Sequence, residues 1–132
     1  MSAVTQSQVM ARGPAEVLVV DDQESQRELY RRKLEREGYR VRLADSADSA
    51  ATEVRAETPH VVVLDIAMPG RDGLSALQEL LDIEPTLPVI INTAYPAFAD
   101  NFLSWAADAY IQKSSDLSPL LQAIEQALGP IE

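Results

Sequence analysis

Three aspartates, a threonine and a lysine stand where apolar segments of the sequence stop. They are Asp21, Asp22, Asp65, Thr93 and Lys113. Carboxylates about 4 Å apart repel one another by about 4 kcal/mol per pair at an effective dielectric near 20, so a cation must lie among them if all are to stay charged. Oxygen ligands without His or Cys suit Mg²⁺, which commonly handles phosphate. One carboxylate could then attack phosphorus and form an acyl phosphate, while Lys113 supplies a positive charge and Thr93 a hydroxyl.

The segments that must position these side chains alternate between strand and helix patterns. Apolar or alternating runs predict five strands, at 16–20, 39–43, 60–64, 89–91 and 109–111. Helix-forming composition predicts a helix at 25–37, and helical spacing predicts four more at 47–54, 74–81, 98–105 and 117–128, with Gly38 and Gly129 ending the first and the last. This alternation is typical of a parallel sheet covered by helices on both faces. Because ligands bind at the carboxyl ends of such strands, the polar residues at those ends are expected to share one crevice.

Length and composition narrow the class of protein. The chain has 132 residues, a formal net charge of −10 and no Cys. We expect one domain over 16–129, a flexible tail over 1–15 and a short C-terminal end over 130–132 with no effector domain. The absence of Cys excludes disulfides, thiolate metal sites and thiol chemistry, and the acidic balance argues against direct DNA binding. The apolar runs are far shorter than the roughly 20 residues of a membrane span, so a cytoplasmic protein without membrane contact is expected.

Four segments together resemble the receiver domain of response regulators, the chemotaxis-type phosphoacceptor of two-component signalling. They are Val19-Val20-Asp21-Asp22, the segment 64–73, Asn92-Thr93-Ala94 and Tyr110-Ile111-Gln112-Lys113. The resemblance covers about 16–128, nearly the whole chain, in a stand-alone form. It implies a single α/β domain with a flavodoxin-like, doubly wound sheet of five parallel strands in the order 2-1-3-4-5 and five helices.

The resemblance also implies a role for each residue of the expected crevice. Asp65 would be the phosphoacceptor and a ligand of Mg²⁺ (or Mn²⁺). Asp22 would bind the metal directly, Asp21 mainly through water, and the backbone carbonyl of Ala67 would be a further ligand. Lys113 would pair with the phosphoryl group. No organic cofactor is implied.

A switch and a set of partners follow from the same resemblance. Thr93 would move toward the phosphate and Tyr110 would turn inward, changing the surface formed by the helix at 98–105, the fifth strand and the last helix. The phosphodonor would be a sensor histidine kinase or a histidine phosphotransfer protein, and the downstream protein partner stays unknown. Homodimerisation on phosphorylation stays open. The chain would be no conventional enzyme, because its phosphotransfer and slow autodephosphorylation are self-catalysed.

Three positions depart from the family pattern. Ser114 replaces the usual Pro after the active-site lysine, Ala106-Ala107 replaces Gly-Ala, and the stretch 93–110 is slightly short, which predicts a stunted helix. Losing the Pro removes the expected cis peptide, so the loop after Lys113 should be more mobile or held differently. These departures concern the surface that the switch would change, and they leave the phosphorylation chemistry intact.

Other interpretations are weaker. Asp21 and Asp22 could simply cap the first helix, and Lys113 could be an ordinary surface lysine. Their joint placement at successive strand ends favours the functional interpretation. The alternatives are a phosphorylation-independent pseudo-receiver that acts as an adaptor, a phosphorelay intermediate, and an aspartyl phosphohydrolase, which Ala67 disfavours because a second acid is usual there. His60, the only histidine, precedes a strand away from the crevice and is not expected to be catalytic.

Overall fold

The computed structural model describes residues 14–67, 73–94 and 106–129. Five strands and four helices lie in these ranges: β1 (Glu16–Val20), α1 (Glu24–Arg36), β2 (Arg40–Ala44), α2 (Ala47–Ala56), β3 (Val61–Leu64), α3 (Gly73–Ile83), β4 (Val89–Thr93), β5 (Ala109–Gln112) and α4 (Ser118–Leu128). The short helix predicted at 98–105 lies outside the described residues. Most of the predicted tail does too, although Ala15 is buried and its carbonyl accepts a hydrogen bond from the Arg40 N–H. No helix in the described ranges combines the length and the apolar character needed to cross a bilayer.

The five strands form one parallel sheet in the order β2-β1-β3-β4-β5, which confirms the predicted order. β1 lies at the centre of the first three strands, with Val17 opposite Val41 on β2 and opposite Val61 on β3. β1, β3 and β4 are buried along their whole length, whereas the edge strands β2 and β5 are partly exposed. Because all five strands run in the same direction, their carboxyl ends meet along one edge of the sheet.

Helices cover both faces of this sheet, so the core has two layers. Leu74, Leu77 and Leu80 of α3 join alanines of α2 against one face. Leu34 of α1 and Ile124 of α4 pack against the other. Leu74, Leu77 and Ile124 belong to apolar stripes predicted from helical spacing, and the burial of these stripes holds the helices against the sheet.

The two ends of α1, the helix beside the candidate site, are set by Gln23 and Gly38. Gln23 is the N-cap and makes no side-chain cap, so the alternative in which Asp21 or Asp22 caps this helix is wrong. Gly38 follows the C-cap with φ +98°, a left-handed conformation that L side chains rarely adopt, which confirms it as the residue that ends the helix.

Candidate active site

Three carboxylates gather at the carboxyl ends of β1 and β3. One carboxylate oxygen each from Asp21, Asp22 and Asp65 lies within 4.8 Å of those of the other two. Asp21 and Asp65 are almost completely buried, at 2% and 7% exposure, and Asp22 is partly buried. The parallel pairing explains the cluster, because the Asp65 N–H donates to the Val20 carbonyl and so places the end of β3 beside the end of β1.

The Lys113 ammonium lies in direct contact with two of these carboxylates. Its Nζ donates to Asp21 Oδ2 at 2.7 Å and to Asp65 Oδ2 at 2.9 Å. Burial alone would lower the pKa of Lys113, but the hydrogen bonds and negative charges of Asp21 and Asp65 raise it above its usual value. The Lys113 N–H donates to the Thr93 carbonyl at 2.8 Å, which places the end of β5 beside the end of β4.

Two short turns hold the buried aspartates in place. Asp21 Oδ1 accepts the N–H of Gln23 and Asp65 Oδ1 accepts the N–H of Ala67, each at 2.9 Å. In both turns the carboxylate reaches a backbone N–H two residues further along the chain, a local arrangement that aspartate adopts readily. In each aspartate one carboxylate oxygen accepts a hydrogen bond from its own turn and the other accepts one from Lys113. These two bonds restrain rotation of both side chains.

The donor set fits Mg²⁺. Three carboxylates face one ammonium group, which leaves excess negative charge in a mostly buried place. No His or Cys belongs to the group, and oxygen-only ligands select hard divalent cations such as Mg²⁺ or Mn²⁺. Asp21, Asp22 and Asp65 are thus brought together as predicted, and Ala67 lies at the same turn.

A cavity of about 560 Å³ opens beside Asp65 and Lys113. It runs between α1 and the loop that follows β5, and it is lined by Gln23, Gln26, Leu29, Tyr30, Asp65, Ala67, Ala94, Lys113, Ser114 and Ser115. The lining mixes apolar side chains with amides and hydroxyls, so an anion that enters the cavity finds hydrogen-bond donors beside Asp65 and Lys113.

The two predicted switch residues occupy different surroundings. Thr93 ends β4 and is fully buried at 0% exposure, and Ala94 rather than Thr93 lines the cavity. Tyr110 is partly buried and packs against the core layer formed by α2 and α3. The Thr93 side chain therefore does not reach the cavity surface in this structure, and the roles of both residues stay predictions.

Ser114 shows how the loop after Lys113 is held without a proline. The described residues contain no cis peptide bond. Ser114 Oγ accepts the N–H of Asp116 at 2.9 Å, and Asp116 Oδ1 accepts the N–H of Ser118 at 3.0 Å. Two consecutive side-chain turns thus connect Lys113 to the start of α4. Of the two expected outcomes, a more mobile loop or one held by other contacts, the structure shows the second.

Arg27 contacts this site although no motif in the sequence points to it. Its Nη1 donates to the Asp21 carbonyl oxygen at 2.7 Å, from six residues further along the chain. Its only sequence signal is a position one turn into α1, which does not indicate where a long side chain points. His60, by contrast, lies at the opposite end of β1, where its Nδ1 accepts the Glu16 N–H at 2.8 Å, as expected of a residue outside the crevice.

Comparisons with known proteins agree on one family. The model of the response regulator receiver domain matches residues 17–125. Response regulator MprA of Mycolicibacterium vanbaalenii is 35% identical over 117 residues, which are 87% of this chain and 51% of MprA. The chain thus spans about half the length of that relative.

Solved structures show the same likeness. Response regulator TrrA of Thermotoga maritima, crystallised in complex with Mg²⁺-BeF, superposes with a TM-score of 0.83 at 33% identity and covers 86% of this chain and 99% of its own. A crystal structure of histidine kinase ThkA in complex with TrrA matches with a TM-score of 0.82 at 33% identity, covering 87% of this chain and 99% of the matched one.

Proposed function

Because this chain belongs to the response regulator receiver domain family, we propose that it accepts a phosphoryl group on Asp65 in the presence of Mg²⁺ and so changes its protein-binding surface. One observation carries this proposal. The buried Asp65 shares the Lys113 ammonium with Asp21 on the wall of an open cavity. That arrangement gives a carboxylate nucleophile, a cation beside it and a path for an anionic donor.

The residues of the site divide the reaction between them. A carboxylate oxygen of Asp65 attacks the phosphorus, the bond from phosphorus to the donor's leaving group breaks, and its electron pair departs with that group. Lys113 shifts from Asp65 Oδ2 toward a phosphoryl oxygen while it remains beside Asp21, so the new charge is neutralised without a large movement. Asp21, Asp22, Asp65 and the Ala67 carbonyl would hold Mg²⁺. When bound, the ion supplies further neutralisation of the phosphoryl oxygens.

Asp65 is regenerated by the same groups. Water attacks the acyl phosphate and inorganic phosphate leaves, so the chain consumes its own modification slowly and is not a conventional enzyme. Ala67 lines the cavity beside Asp65, and its small side chain leaves room for water at the phosphoryl group.

The proposed donor is a histidine kinase or a histidine phosphotransfer protein. TrrA, a relative at 33% identity, has been crystallised in complex with histidine kinase ThkA. The cavity opens between α1 and the loop after β5, and Gln26 and Leu29 of α1 lie on its wall, where a phosphohistidine-bearing protein must approach.

The proposed output is a protein contact rather than DNA binding. Thr93 and Tyr110 would carry the switch, and a downstream protein or a second copy of the chain would read it. The formal net charge of −10 opposes binding to a polyanion, and a cytoplasmic location is part of the same proposal. An adaptor that never turns over phosphate is disfavoured because Asp65 and Lys113 are both in place.

Labelling with a small phosphodonor tests the proposal. Intact-mass spectrometry of the protein incubated with acetyl phosphate and Mg²⁺ should show one added phosphoryl group, which hydroxylamine removes. EDTA should abolish the adduct, and Asp65→Ala should not form it. Asp82→Asn, on the exposed face of α3, is the matched control and should be labelled like the wild type. A wild-type protein that stays unmodified under these conditions would overturn the proposal.

A further inference from the structure

Arg27 holds the loop that carries the two adjacent aspartates. Its Nη1 lies 2.7 Å from the Asp21 carbonyl oxygen, a distance typical of a hydrogen bond from a charged donor. The Arg27 backbone N–H donates to the Gln23 carbonyl at 3.0 Å, so the first turn of α1 anchors the residue at its base. The side chain therefore reaches from a rigid helix back to the end of β1.

This contact completes the restraint of Asp21. Its N–H donates to the Ala44 carbonyl, Oδ1 accepts from Gln23, and Oδ2 accepts from Lys113. The carbonyl oxygen held by Arg27 is the fourth polar group of this residue. Every hydrogen-bonding group of Asp21 thus has a partner, although it lies in the loop between β1 and α1.

Asp22 depends on the same contact, but indirectly. Among the described residues, no hydrogen bond or ion pair reaches the Asp22 side chain, and it is only partly buried. Its position is set by the peptide plane that joins it to Asp21. Because that plane is rigid, fixing its carbonyl oxygen also fixes the N and Cα of Asp22. From this backbone position the Asp22 carboxylate lies within 4.8 Å of the other two.

We propose that Arg27 is a positioning residue for the metal site: its hydrogen bond to the Asp21 carbonyl sets the orientation of Asp22 as a metal ligand. The inference rests on the proposed function, since it assumes that Asp21, Asp22 and Asp65 hold a divalent cation. Groups that orient metal ligands without touching the metal typically change affinity by about 10- to 100-fold when they are removed.

The positive charge of Arg27 makes positioning and electrostatics change metal affinity in opposite directions. A guanidinium beside a metal site repels the incoming cation, so deleting its charge should by itself tighten metal binding. Losing the restraint on the loop should weaken it. A weakened affinity after removal of a positive charge therefore identifies positioning and not electrostatics.

Direct titration with Mn²⁺ tests this, with the paramagnetic resonance signal of the free ion as the readout. We expect Arg27→Met to raise the dissociation constant for Mn²⁺ by about tenfold. Arg31→Met is the matched control, because it deletes the same charge one helical turn away, where the guanidinium binds Glu28 and Glu35 instead of the loop. This control should bind Mn²⁺ as the wild type does or slightly more tightly. At saturating Mg²⁺, Arg27→Met should regain the wild-type rate of labelling by acetyl phosphate.

A second variant covers the case in which Arg27→Met does not fold. Arg27→Lys keeps the charge and loses the forked donor, so it should raise the dissociation constant by a smaller factor than Met. An Arg27 variant that folds and binds Mn²⁺ as tightly as the wild type, or more tightly, would overturn the inference while leaving the proposed function intact. A wild-type protein that binds no Mn²⁺ would overturn the metal site itself, and the inference with it.

Discussion

Replacing Asp22 with Asn should stabilise the metal-free protein and weaken its response to Mg²⁺. Asp22 lies within 4.8 Å of both Asp21 and Asp65, and Lys113 is already hydrogen-bonded to those two. At that distance and an effective dielectric of 20, each repulsion amounts to about 3.5 kcal/mol. Water screens the partly exposed Asp22, and exposed pairs contribute about 1 kcal/mol or less. We therefore expect Asp22→Asn to raise the free energy of unfolding by about 1 to 2 kcal/mol in EDTA.

Mg²⁺ should reduce this stability advantage of Asp22→Asn over the wild type. A ligand present at ten times its dissociation constant stabilises the folded state by about 1.4 kcal/mol. The wild type should gain this amount, whereas Asp22→Asn, which has lost a ligand, should gain much less. The difference between the two proteins should therefore narrow or vanish in Mg²⁺.

Urea unfolding followed by circular dichroism, in EDTA and in Mg²⁺, measures both effects. Asp82→Asn removes one negative charge from the exposed face of α3 and is the control, with changes expected to stay within about 0.5 kcal/mol in either buffer. If Asp22→Asn lowers the free energy of unfolding in EDTA, the claim that repulsion among the three carboxylates destabilises the metal-free protein is wrong. If it gains as much from Mg²⁺ as the wild type, Asp22 is not a metal ligand.

Three further predictions concern other charged groups. Lys113→Met leaves two buried carboxylates without their cation and should cost about 3 kcal/mol in urea unfolding at pH 7, part of which Mg²⁺ should restore. Burial, helped by nearby negative charge, raises the pKa of Tyr39 to about 12. The unfolded chain then loses this proton first, so stability should fall as the pH rises from about 10 through 12, and Tyr39→Phe should flatten that part of the profile in pH-dependent urea melts. Arg42→Met removes the guanidinium 2.9 Å from the 7%-exposed Glu16 carboxylate and should cost about 3 kcal/mol, most of which Glu16→Gln in the same protein should recover in thermal melts.

The sequence predicted the strand ends well because each apolar run stops at a polar residue. Val17 to Val20 and Val61 to Leu64 are buried throughout, and the aspartates after them do meet. Parallel strands must align their carboxyl ends, so this convergence needed only the strand pattern. The family resemblance, which rested on those same motifs, is confirmed by the match over 17–125.

Long side chains were predicted less well, because their contacts depend on tertiary geometry. The alternation of apolar and charged residues along β2 is typical of an edge strand with one face in water, yet the Arg42 side chain is only 19% exposed and donates to the carboxylates of Glu16 and Glu53. It also donates to the Glu57 carbonyl at the end of α2. A guanidinium has five donors and can be buried when acceptors surround it, but a sequence does not show which acceptors will be near.

Loop contacts were missed for a related reason. The loss of proline at Ser114 was visible in the sequence, but the turn that replaces it requires the Asp116 N–H to lie within reach of the Ser114 hydroxyl. The bond from Arg27 to the Asp21 carbonyl likewise depends on how the loop after β1 turns into α1. Periodicity places residues on elements and leaves such side-chain-to-backbone contacts undetermined.

Chemical trapping of the acyl phosphate tests the central claim most directly. The protein is incubated with acetyl phosphate and Mg²⁺, reduced with borohydride, which converts an aspartyl phosphate into homoserine, and then digested and sequenced by mass spectrometry. Homoserine at position 65, and unmodified aspartate at positions 21 and 22, is the predicted result. Homoserine at another aspartate, or a phosphoryl group that resists borohydride and remains on a hydroxyl, would contradict the assignment of Asp65 as the phosphoacceptor.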